Sequence, residues 1–144
     1  MSVYTFRVVF DPARCSQNTL RTVGHWTRQR DLIHAARRAG FYAWIDAGKP
    51  VSRTKCRVSA LIVRRGRRFD PMNCHGAIKP ILDGILCGFQ GFPALLPDDS
   101  VTWVEAGEVT QQPLAKGSLA REACVIVTVE ELLAVTDADG RAGE

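Results

Sequence analysis

Six stretches of this chain carry a regular spacing of hydrophobic and polar positions. Residues 3–10 (VYTFRVVF) are β-branched and aromatic and stop at Asp11 and Pro12, which predicts a strand and then a loop over 11–18. Over 19–47, Val23, Trp26, Ile33, Ala36 and Gly40 return at helical spacing, with a gap near Arg30. That stretch reads as one long helix, with Arg28, Arg37 and Arg38 off the apolar stripe and Gly48 and Pro50 ending it. Residues 54–65 (TKCRVSALIVRR) read as a strand, with Cys56, Val58, Ala60 and Ile62 on one side and Arg57, Ser59, Leu61 and Val63 on the other. Residues 73–88 read as a second helix on Ile78, Ile81, Leu82 and Ile85. Pro80 removes one donor there, so the residues before Lys79 are expected to form a separate turn. After a Gly- and Pro-rich loop over 89–100, two more strands are expected over 101–110 and 119–129. Residues 136–144 (TDADGRAGE) are expected to be a disordered tail. The order β-α-β-α-β-β predicts an α/β (α+β) fold: one two-layer domain over 1–135, with helices packed on a mixed sheet.

Composition narrows the class. No apolar run approaches the ~20 residues that cross a bilayer, and the first residues show no secretory leader, so a cytoplasmic protein with no membrane partner is expected. The five cysteines (Cys15, Cys56, Cys74, Cys87, Cys124) include no Cys-x-x-Cys pair, which argues for reduced, mostly buried thiols rather than a zinc site. Cys74 and His75 sit beside an acidic motif, but a second pair of soft ligands is missing.

The net charge of +4 hides a division. Residues 1–68 hold 15 Lys+Arg against 3 Asp+Glu, a balance of +12; residues 69–144 hold 4 against 12, a balance of −8. One reading is a polyanion partner together with a carboxylate cluster; the other is that the two halves simply face each other across the fold.

The stretch from Arg64 to Ser100 (RRGRRFDPMNCHGAIKPILDGILCGFQGFPALLPDDS) carries the chemistry. Asp70 comes just past a strand, and Asp98 and Asp99 come just before the next. Neighbouring strands are expected to bring these ends together. Converging carboxylates repel unless a cation lies between them, and Mg2+ or Mn2+ held by two or three Asp can activate water against a phosphodiester. Lys79 and Asp83 share a helix face, as an exposed ion pair or as a cation beside the metal. Arg64, Arg65, Arg67 and Arg68 stand next to Asp70, and Lys49, Arg53, Lys55 and Arg57 form a second basic group; both suit a DNA backbone, in contacts that are salt-sensitive and blind to sequence. Trp26, Trp44 and Trp103 read as core or dimer-interface residues, while Phe89 and Phe92 are better candidates for insertion near a DNA branch.

Asp70-Pro71-x-Asn73, then Lys79-x-x-x-Asp83-Gly84, then Leu96-Pro97-Asp98-Asp99 before a strand resembles the RusA-like Holliday junction resolvase pattern over about residues 64–104. The resemblance implies a homodimer that binds four-way DNA junctions and cuts phosphodiester bonds with Mg2+. It implies Asp70 and Asp99 as metal ligands, Lys79 as the catalytic lysine, Asp98 and Asp83 as supporting carboxylates and Asn73 as the residue that fixes the loop. Two departures stand out. Met72 replaces the second Asp of the family's Asp-x-Asp, and a thioether binds Mg2+ poorly. Lys79 follows Asn73 by six residues where the family commonly has three. The alternatives are therefore a relative that binds branched DNA without cutting it, and a structural or interaction protein whose charged halves serve dimer contacts.

Overall fold

Alternation along the strands decides which side of the sheet is covered. The protein, described by a computed structural model over residues 2–66, 68–97, 100–114 and 122–132, is a mixed α+β domain. The elements are β1 (Val3–Val8), a 3-10 turn (Pro12–Cys15), α1 (Gln17–Val23), α2 (Trp26–Asp46), β2 (Cys56–Arg64), α3 (Pro71–Leu86), β3 (Val104–Pro113) and β4 (Cys124–Glu131). The four strands lie in the order β1-β4-β2-β3. β4 pairs antiparallel with both β1 and β2, and β3 pairs parallel with β2. The expected tail over 136–144 and the expected start of the last strand lie outside the described residues.

Phe6 and Val8, Cys56, Val58, Ala60 and Ile62, and Val125, Val127 and Val129 point to one face and are buried. Ala36, Phe41 and Trp44 of α2 and Ile78, Ile81 and Ile85 of α3 join them in the same core. The opposite face carries Arg57, Ser59, Leu61, Thr110, Ile126 and Thr128, which line an open concavity of about 740 Å³. The two helices cross closely because Gly40 and Gly84 meet there: a Cβ on Gly40 would run into the Ile81 carbonyl, and one on Gly84 into the Arg37 carbonyl.

The expected single helix over 19–47 is two. Ser16 caps α1, its Oγ accepting from the Thr19 N–H at 3.3 Å. Gly24, at φ +70°, ends it, and His25 caps α2. Trp26 and Ile33 are exposed, and the buried stripe is Ala36, Gly40, Phe41 and Trp44 instead. The expected break before Lys79 is absent. Pro71 starts α3 at a position that needs no donor, and the helix runs through Pro80 because Ile78, Ile81 and Ile85 are buried on both sides of it. No helix among the described residues is long and apolar enough to cross a membrane.

Candidate metal and DNA site

β2 leaves the sheet at Arg64, and the next six residues carry the chain to Asp70. Arg64 donates from Nε to Asp11 Oδ1 at 3.1 Å, and its guanidinium lies 4.9 Å from the centre of the Phe69 ring. Gln111, on β3, clamps the Phe69 backbone: the Phe69 N–H donates to Gln111 Oε1 at 2.8 Å and Gln111 Nε2 donates to the Phe69 carbonyl at 3.0 Å. The residue before Asp70 is thus held by a side-chain amide, a cation over its ring and, through that cation, the turn after β1. Sequence reasoning missed Asp11, Phe69 and Gln111 in this role, and no local signal marks them.

Asp70 is the N-cap of α3, extended at φ −59°, ψ 142°, and its carboxylate makes no cap hydrogen bond. Its carbonyl accepts from the Asn73 N–H at 2.8 Å, so Asn73 closes the first turn through its backbone. The exposed carboxylate stays available for a ligand, in a chain segment that is itself fixed. Met72, 91% exposed, adds no donor where the family pattern has a carboxylate. Cys74 is buried below; burial pushes its thiol pKa up, and the Asp70 charge adds to that. Cys15, Cys56 and Cys124 are buried too, and burial pushes Cys15 up to about 11. Such thiols are poor ligands and poor nucleophiles.

The other candidates lie elsewhere. Lys79 donates to Asp83 Oδ1 at 2.9 Å, an i,i+4 pair on α3. At ~1.5 Å per residue, Lys79 sits about 14 Å and Asp83 about 20 Å along the axis from Asp70. Asp83 therefore does not share an ion with Asp70 in one chain, and Lys79 does not flank that carboxylate. Asp98, Asp99 and Arg67 lie outside the described residues. Leu96, Ser100 and Val104, which are described, stand at the far end of the unit from Asp70. The Leu96 N–H donates to the Leu86 carbonyl at the end of α3, Ser100 accepts from Val104, and Val104 pairs with Cys56 at the start of β2.

The expectation that neighbouring strand ends bring Asp70 to the acidic pair rests on Asp98 and Asp99, outside the described residues; what the described residues give is the direction of β3. The α3 crossover makes β3 parallel, so the start of β3 lies beside the start of β2, about 26 Å along a nine-residue strand from the end that leads to Asp70. The basic groups divide the same way. Arg65 and Arg68 are exposed at the Asp70 end, and Lys49, Arg53 and Lys55 are exposed before the start of β2. Among the described residues no three His, Cys, Asp or Glu side chains come together closely enough to hold a metal ion. Mg2+ is commonly held by one or two carboxylates together with waters and substrate phosphate oxygens, and at this end of β2 Asp70 is an exposed carboxylate that could serve as one of them.

Of the tryptophans, Trp44 is buried and donates to the Pro50 carbonyl at 2.7 Å, Trp103 is half-buried, and Trp26 is 64% exposed. No protein-family model matches this chain, and a search of the curated proteins finds no match.

Proposed function

We propose that this chain is a RusA-like, metal-dependent endonuclease that acts in the cytoplasm on branched DNA, Holliday junctions foremost, as a homodimer. The observation that carries the reading is Asp70: an exposed carboxylate, unused by its own helix cap, at the head of the segment that holds the ordered acidic motif and beside Arg65 and Arg68. Because the α3 crossover separates Asp70 from Ser100 and the start of β3, we take Asp70 from one copy and the acidic pair from the other for any ion these acids share. When bound, Mg2+ or Mn2+ supplies a polarised water and neutralises charge on the phosphate. The chain's own part is to hold the backbone through Arg65 and Arg68 and to keep Asp70 in place through Gln111 and Arg64.

The test is cleavage of a synthetic four-way junction with Mg2+ and with EDTA, by wild type, Asp70→Asn, Asp99→Asn and an equal mixture of the two variants. Each variant alone is expected to be inactive. After subunit exchange the mixture is expected to regain about a quarter of the working sites, since half the dimers are mixed and each has one intact site. If each variant is inactive and the mixture stays so, the shared arrangement fails; if both variants cut normally, the acidic site fails.

A second reading is favoured by the exposed thioether of Met72, which stands where the family pattern has a carboxylate. In it, the protein binds branched DNA without cutting it. Tight, salt-dependent junction binding with no Mg2+-dependent cleavage would select that reading.

A further inference from the structure

We propose that the cleft between α2 and the turn at Phe89–Phe92 is a subsite for one unpaired nucleotide, and that it distinguishes branched from linear DNA. The inference rests on the nucleic-acid reading above and adds what phosphate contacts lack, a means of selecting the branch.

α2 presents Asp31, His34, Arg38 and Tyr42 along one face at three- and four-residue steps. Facing them is a tight turn. The Phe89 N–H donates to the Phe92 carbonyl at 3.1 Å and the Phe92 N–H to the Phe89 carbonyl at 3.0 Å. Gln90 (φ +50°) and Gly91 (φ +82°) are both left-handed, as a primed two-residue turn requires, and Gln is an uncommon residue there. The turn is fixed to the helix. Arg37 Nε donates to the Gly88 carbonyl at 2.8 Å, and Gly88 (φ +93°) backs so closely on the Phe92 carbonyl that a Cβ would collide with it. The Phe89 ring stands edge-on to His34, with centroids 6.1 Å apart at 81°, and lies 6.2 Å from Phe41. A cavity of about 350 Å³ remains between helix and turn.

Its chemistry narrows the occupant. The walls offer aromatic surface from Phe89 and Tyr42, a guanidinium from Arg38, an imidazole from His34 and a carboxylate acceptor from Asp31. That set suits a flat heterocycle with exocyclic amino groups, linked to a phosphate. The volume lies at the small-ligand end of known pockets, room for one nucleotide and not for a duplex. Tyr42, in the lining, is 55% exposed, and Phe92, at the base of the same turn and just outside the lining, is 66% exposed, so apolar area stands in water in the cleft and beside it. Stacked bases in a linear duplex are not available to such a cleft, and an unpaired base at a branch is.

The test uses the whole chain and 2-aminopurine placed at the branch of a four-way junction, in a one-base bulge and in a linear duplex. With wild type we expect the fluorescence at the branch and the bulge to be quenched and that in the duplex to stay unchanged. Tyr42→Ala and Phe92→Ala, both at exposed positions and checked for folding by circular dichroism, should abolish the quench and weaken junction binding about tenfold while leaving duplex binding as it was. Arg38→Gln should weaken junction binding less. Junction cleavage by wild type with no quench, and with both alanine variants binding normally, would overturn the subsite and leave the nuclease reading in place. A quench lost in the variants, from a wild type that cuts nothing, would support the subsite and remove the nuclease. A change of oligomeric state in Phe92→Ala or Tyr42→Ala without a change in DNA binding would overturn the proposal in favour of a protein contact. Absence of binding to any of the three DNAs would overturn both readings.

Discussion

The two ends of β2 are held by different chemistry. At its C-terminal end, Arg64 pairs with Asp11 and covers Phe69, and Gln111 takes both backbone groups of Phe69. At its N-terminal end, Glu131 accepts from the Ser2 N–H at 3.3 Å, the Tyr4 hydroxyl at 3.0 Å and the Ser52 hydroxyl at 2.9 Å, which ties β1, the approach to β2 and the end of β4 together. Burial pushes the Glu131 pKa up, but the bonds from Ser52, Tyr4 and Ser2 outweigh it and hold the carboxyl below its ordinary value. One end presents an exposed acid on a clamped segment. The other spends its acid on internal hydrogen bonds. A carboxylate is a candidate ligand when the structure fixes the chain around it and leaves its oxygens alone, as at Asp70 and not at Glu131.

The sharpest way to break this contrast is Asp70→Asn. Junction cleavage should fall about a thousandfold, equivalent to ~4 kcal/mol of barrier. The urea midpoint should hardly move, because the Asp70 side chain caps nothing; a large loss of stability would put Asp70 on the structural side with Glu131. Gly84→Ala acts on the crossing that joins the two ends. Its Cβ meets the Arg37 carbonyl, so α2 and α3 must part, at a cost of about 3 kcal/mol in urea unfolding.

Gln111→Ala should cost about 1–2 kcal/mol for the two Phe69 groups left unpaired, and should lower cleavage about tenfold through Asp70. Gln111→Glu keeps the acceptor for the Phe69 N–H but not the donor, and should recover only part of the activity. If Gln111→Ala loses stability and keeps full activity, the clamp is a structural device alone.

The smallest effect is pH dependence at the Glu131 end. A carboxyl with a lowered folded pKa adds stability that is complete above its unfolded value, ~4.3, and is lost as pH falls through the folded value. Unfolding measured from pH 7 down to pH 3 should therefore show declining stability, and Glu131→Gln should flatten that part of the decline. Hydrogen exchange at low pH should rise first around Ser52 and Cys56 rather than at the Phe69 backbone, whose two hydrogen bonds go to the Gln111 amide, which does not titrate.

Much of the fold was legible because strand alternation is local. Cys56–Ile62 and Val125–Val129 announce their buried side residue by residue, and Ile78, Ile81 and Ile85 do the same for α3. The break at Gly24 was hidden because Val23 and Trp26 keep helical spacing across it, although Trp26 never reaches the core. Asp70 was legible as an acid between a strand and a helix. Its clamp was not, since Gln111 is 42 residues away in the chain and sits among other polar residues on an edge strand.

By itself, then, the sequence determined the kinds of element, the buried faces and the ordered set Asp70, Lys79, Asp83, Asp98 and Asp99, because each depends on near neighbours. Tertiary structure alone decided that β3 lies parallel to β2, that Asp83 stands about 20 Å down the axis from Asp70, and that α2 and the Phe89–Phe92 turn face each other across a cleft. Those outcomes depend on how a crossover helix returns the chain to the sheet, which spacing along a strand or a helix does not encode.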